Sequence, residues 1–156
     1  MADFRFRAQA ALDLRRQQED AAATALAHAQ AELQRVLDHR AAVQAERAAA
    51  LANQSAQQRA GTSGAALEWH WNWINSLAAA VERLGRDLDA RRLDVGAAER
   101  VWHEARRRRL AIERMRDRLQ RRHQAAEQRK DAKTVDELAR LRFVLPNAAS
   151  GGMHDD

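Results

Sequence analysis

LEWHWNWINSLAAAVERLGRDLDARRLDVGAAERVWHEARRRRLAIERMRDRLQRRHQAAEQRKDAKTVDELARL, Leu67 to Leu141, contains no proline and only two glycines, Gly85 and Gly96. Leu67, Ile74, Val81, Leu88, Val95 and Trp102 stand seven apart. A second row, offset by three, holds Leu77, Leu84, Ala98, Ala105, Ile112, Leu119 and Ala126, with Arg91 as its one charged member. Two apolar rows of this kind are the a and d positions of a coiled coil. At about 1.5 Å per residue such a helix extends roughly 110 Å. It cannot bury its stripe against itself, so it needs a partner helix.

The preceding sequence supplies one. Asp3 can cap a first helix with Phe4 in its first turn, and Leu12, Leu26, Leu33, Leu37, Val43 and Leu51 give it larger apolar residues among many alanines. The spacing drifts between three and four and is looser than in the second helix. The pattern fades across Asn53 to Gln58, and Gly61-Thr-Ser-Gly64 breaks it. Gly61 can end one helix in a left-handed conformation, and Thr62 or Ser63 can cap the next. So short a break makes the helices antiparallel neighbours.

The sequence therefore predicts an all-α fold, a two-helix antiparallel coiled-coil hairpin with a short disordered C-terminal tail. The first helix is expected over residues 3–60, the turn over 61–64, the longer second helix over 65–145 and the tail over 146–156, after Pro146 stops the helix. The expected core is Leu26, Leu33, Leu37, Val43, Leu67, Ile74, Leu77, Val81, Leu84, Leu88, Val95, Ala98, Ile112 and Leu119. The arms are unequal, so roughly 20 residues of the second helix, from near residue 120, should project about 30 Å beyond the first. Past residue 105 one seam row turns polar at Arg109, Arg116 and His123, while apolarity shifts to Ile112, Met115 and Leu119. The seam is expected to rotate or end there.

With 36 alanines and 25 arginines against 2 lysines in 156 residues, the composition is that of long helices and offers little bulk for a globular interior. The absence of cysteine excludes disulfides and thiolate metal sites. No apolar run approaches the roughly 20 residues of a membrane span, and the N-terminus lacks a secretory leader's apolar stretch. Of the net charge of +5, residues 99–130 concentrate 12 basic and 5 acidic groups. A partner at that end should be acidic.

Arg86, Arg100, Arg107, Arg114 and Arg121 share one heptad letter opposite the seam, and Arg106 to Arg109 wrap the helix. Such a face either keeps a thin coiled coil solvated or docks on carboxylates, for which guanidinium is well shaped. Nucleic acid is disfavoured because a basic zipper places its basic helix before the leucine repeat, the reverse of the order here. Of the indoles after the turn, Trp69 and Trp73 can share a face and Trp71 lies away from them. They either pack over the first helix or anchor a partner. Glu99 and His103, four apart with Glu104 nearby, could form one edge of a metal site, but no further ligands accompany them. The Gly61–Gly64 break lacks the Gly-Lys-Ser/Thr of a phosphate loop. No nucleophile, base and orienting group converge. No catalysis, cofactor or small-molecule ligand is expected.

Both chain ends carry a family likeness. Phe4-Arg-Phe-Arg7, then Leu12-x-Leu14-Arg15-Arg16 and Glu19-Asp20, resembles the opening of the flagellar export protein FliJ family. Glu113-Arg-Met-Arg-Asp-Arg118, Arg121-Arg122, Glu127-Gln-Arg-Lys130 and Asp136-Glu-Leu-Ala139 resembles that family's C-terminal half. His123 departs from it, standing where the family usually has an aromatic residue. The resemblance implies a non-catalytic stalk, monomeric when free, whose two ends insert in the hexameric flagellar export ATPase. Its turn side would reach toward the membrane export gate, and it would escort export chaperones on the cytoplasmic side of the inner membrane. Mapped on this chain, the ring would meet Phe4, Arg5, Phe6, Arg7, Arg106, Arg107, Arg114, Arg118, Arg121 and Arg122. The gate would meet Trp71, Trp73 and Leu77. The stalk of a virulence-type injectisome, a basic nucleic-acid-associated coiled coil and a generic scaffold dimer are the competing readings.

Overall fold

The structure, a computed structural model, describes residues 4–144. Asp3 as a cap, Pro146 as a stop and the tail over 146–156 lie outside the described residues. Two helices make up the fold, α1 (Gln9–Ala60, 52 residues) and α2 (Gly64–Val144, 81 residues), with no strand among the described residues.

The break between them is built as its residue types dictate. Gly61 takes φ +79°, the left-handed conformation that ends a helix cheaply only at glycine, and its N–H donates to the Gln58 carbonyl at 3.4 Å. Ser63 is the N-cap of α2. Its Oγ accepts from the Ala66 N–H at 3.3 Å, and its carbonyl accepts from the Leu67 N–H at 3.1 Å.

Two compact units divide the described chain. In the unit of residues 15–107 the helices run antiparallel from the turn and pack as a coiled coil. Ala22, Ile74, Leu77 and Leu88 are buried in that packing. Leu26, Leu33, Val43, Leu67, Val81, Leu84, Val95 and Ala98 are half-buried, as fits two thin helices that cannot enclose a side chain on all sides. In the unit of residues 4–14 and 108–144, Leu12 is fully buried and Leu110 and Ile112 are half-buried.

Three expectations are corrected. The first concerns α1. Its inward positions, Leu12, Arg15, Glu19, Ala22, Leu26, Ala29, Leu33, Val36, Arg40 and Val43, step strictly by three and four. The heptad is as regular as in α2, but Arg15, Glu19 and Arg40 occupy seam positions and hide it from an apolar count. Leu37, expected in the core, is exposed because Val36 and Arg40 hold the seam on either side of it.

The second concerns the end of α2, where the seam loses one row, exposed from Leu119 on, while the other row stays inward. Arg109, Arg116 and His123 keep their heptad places and are half-buried, while Met115 and Leu119 are exposed. Arg109 is kept there by its ion pair with Glu113 at 2.5 Å, and Arg116 by Asp117 at 3.2 Å. Buried polar side chains are tolerable when paired in this way.

The third concerns the N-terminus. α1 begins at Gln9, not with Phe4 in its first turn. Residues 4–6 are irregular and residues 7–8 form a turn, with Phe4, Phe6 and Ala8 half-buried and Arg5 and Arg7 exposed. Gln9 N–H donates to the Phe6 carbonyl at 3.1 Å where the arm enters the helix. Phe4 sits 5.7 Å from the His123 ring, centroid to centroid.

Candidate partner-docking surfaces

Within the unit of residues 4–14 and 108–144 two kinds of surface lie on α2. The first is basic. Arg114, Arg118, Arg121 and Arg122 are exposed, and no ion pair holds any of them among the described residues. Ala111, Arg114, Asp117, Arg118 and Arg121 line one shallow groove, in which Asp117 is already engaged by Arg116. Arg5 and Arg7 are exposed on the arm of the same unit. Three or more unpaired guanidiniums on one face form a forked donor array suited to carboxylates.

The second surface is apolar, and its functional potential went unremarked in the sequence. Every residue from Gln128 to Phe143 is exposed. Val135, Leu138, Ala139, Leu141, Arg142 and Phe143 line a groove here, and Phe143 is 82% exposed. The signal was present as Val135-x-x-Leu138-x-x-Leu141, a helix-spaced apolar row beyond the reach of a partner helix.

In this stretch Lys130 Nζ donates to Glu127 Oε1 at 3.0 Å. That hydrogen bond, the charge of Lys130 and the charge of His123 hold the Glu127 carboxyl below its usual value.

Arg106 and Arg107 belong to the other unit and are less free than the sequence suggests. The Arg106 guanidinium lies 5.3 Å over the Trp102 ring, and Arg107 is ion-paired with Glu104. Near the turn, Trp69, Trp71 and Trp73 are all exposed, to 63%, 56% and 40%. Leu77, at 5% exposure, is buried, as its place in the expected core requires, which leaves little of it for the gate contact also considered for it.

No group of three or more His, Asp or Glu side chains that could hold a metal gathers among the described residues. No helix among them is long and apolar enough to cross a membrane.

Comparison with known proteins bears on these surfaces. The family described as "Flagellar FliJ protein" matches residues 5–147. A protein described as a YscO homolog from Chlamydia trachomatis has a solved structure that is similar at 17% identity and a TM-score of 0.44, covering 94% of this chain and 99% of that one. No curated protein matches.

Proposed function

This chain belongs to the flagellar FliJ protein family, a component of type III protein export, and from that premise we propose that it is the non-catalytic stalk of the export machine, docking in the hexameric export ATPase and linking it to the membrane export gate and to export chaperones. The observation that carries the reading is the state of α2 beyond residue 113. Arg114, Arg118, Arg121 and Arg122 are exposed without partners among the described residues, and the helix then continues uncovered to Phe143. A helix end that carries exposed guanidiniums on one face and runs on uncovered from Gln128 suits insertion into an acidic channel, where removal from water strengthens each charge pair.

In this reading the arm residues Phe4 and Phe6 seat the N-terminus on α2, so that Arg5 and Arg7 join the ring-facing charge. Val135, Leu138 and Phe143 supply the apolar part of the contact. Trp71 and Trp73, exposed near the turn, are the gate-facing anchors, since large exposed indoles contribute strongly to interfaces when covered. The stalk performs no chemistry and acts on the ATPase by stabilising its ring. Membrane association follows from protein contacts at the gate.

The test is ATP turnover by the purified export ATPase with and without this protein. Wild type is expected to stimulate turnover and promote hexamers. The triple variant Arg114→Glu, Arg118→Glu, Arg121→Glu is expected to lose both effects while keeping its helical circular dichroism. Undiminished stimulation by a folded triple variant would remove the basic surface from the docking site.

A further inference from the structure

The back of α2, opposite the seam, carries an apolar row that the stalk reading does not use. Leu93 is 75% exposed and Val101 61%. Exposed Ala97 stands between them, and exposed Ala90 precedes them. Successive spacings of three, four and four place all four on one helix face, within an arc of about 80° at about 100° per residue. Leu93 is also out of place in its own row. Arg86, Leu93, Arg100 and Arg107 stand seven apart, and leucine interrupts an otherwise guanidinium stripe. A single exposed leucine needs no explanation, but a helix-spaced row of four repeats the pattern of a second, shallower seam.

The unpaired charges around this row are in positive excess, with Glu82 an exposed carboxylate that has no ion pair among the described residues. Asp94 is 3.6 Å from Arg91, and Glu104 is paired with Arg107. Arg83, Arg86 and Arg100 are exposed and have no ion pair among the described residues. Arg100 folds back along the helix, its Nη1 lying 3.7 Å from where a Cβ on Gly96 would stand.

We infer that this face of α2 seats a third helix, supplied by a partner that presents an apolar row flanked by carboxylates. A second copy of this chain is the poorer occupant, because a two-fold contact through this patch would bring the same unpaired arginines together. From Arg83 to Arg100 the seat spans about 25 Å, the length of a helix of roughly 17 residues. The seat is independent of the ring-facing surface and goes beyond the stalk role.

The probe is a fluorescent helix-forming peptide of about 18 residues, long enough to cover the seat. It carries leucine at positions repeating by three and four and glutamate on both flanks, and a matched peptide carries lysine flanks. Anisotropy with the full chain is expected to show binding of the glutamate peptide, weakening with added salt, and none of the lysine peptide. Leu93→Glu with Val101→Glu should weaken binding about tenfold or more by placing carboxylates against carboxylates. Leu93→Met should retain it, and ATPase stimulation should be unchanged in both variants. The inference is overturned if the glutamate peptide does not bind, if both peptides bind alike, or if the double variant binds as wild type does. It is equally overturned if wild type forms a dimer in sedimentation that the double variant dissolves, since a second copy would then cover the face.

Discussion

Phe4 lies against His123, ring centroids 5.7 Å apart and planes inclined at 55°. The contact joins the arm before α1 to the seam of α2 within one unit. It seats the alternating Phe-Arg-Phe-Arg arm with its guanidiniums outward. Replacing Phe4 by Ala should free the arm. Aromatic pairs contribute about 0.5–1.5 kcal/mol beyond their area, so hydrogen exchange over residues 4–14 should rise while protection around Leu88 is unchanged. His123→Phe should keep the arm protected. Equal exchange in Phe4→Ala and wild type would show that the ring contact does not hold the arm.

Leu88 and Leu37 separate seam from surface. Leu88 is 1% exposed and Leu37 37%. Truncating a buried leucine to alanine costs about 2–5 kcal/mol, whereas the same change outside the core costs much less. Leu88→Ala should therefore lower the urea midpoint clearly, and Leu37→Ala only slightly. Similar losses from the two would place Leu37 back in the seam.

Arg40 is a stabilising opportunity. It occupies a seam position of α1, its Nε is buried without a hydrogen-bond partner, and no ion pair compensates it among the described residues. A buried donor left unsatisfied costs about 1–3 kcal/mol, and replacing such groups by apolar ones of similar volume is often stabilising. Arg40→Leu should raise the melting temperature. A drop would mean that the guanidinium finds a partner in solution.

Gly61 and Ser63 shape the turn by different means. At φ +79° Gly61 has open space around a would-be Cβ, so Gly61→Ala meets no steric clash and suffers only backbone strain of about 1–2 kcal/mol. Ser63→Ala removes the cap on Ala66 N–H and should cost about 1 kcal/mol. Thermal melts of the two variants test both values, and Gly61→Asn, which tolerates the left-handed region, should recover part of the first loss.

Glu127 makes the uncovered end of α2 sensitive to acid. Its folded-state pKa is lowered from 4.5, first by the hydrogen bond from Lys130. A depressed carboxylate contributes stability that is fully present above the unfolded value and is lost as pH falls through the folded one. Amide exchange around residues 123–130 should accelerate as pH is lowered below 4.5, beyond the intrinsic trend. Glu127→Gln should exchange faster at neutral pH and lose this acid dependence. An identical acid response in the variant would assign it to other groups.

Spacing along the chain by itself determined two helices, their antiparallel return and the identity of the α2 seam, because a seven-residue apolar repeat and a Gly-Thr-Ser-Gly break are local facts with one inexpensive solution. Family membership was also legible at the chain ends, in Phe4-Arg-Phe-Arg7 and in the arginine clusters after Glu113. Only the tertiary structure decided that Arg15, Glu19 and Arg40 fill seam places in α1. It alone kept one row of the α2 seam inward at Arg109, Arg116 and His123 and left Met115 and Leu119 outside. It also put the three tryptophans on the surface. The reason is common to all of these: an apolar count measures a residue's affinity for burial, whereas burial itself depends on what lies opposite. Glu113 holds Arg109, and Phe4 covers His123. The first is a local pair four residues apart on α2; the second lies across space, where spacing along one helix does not reach.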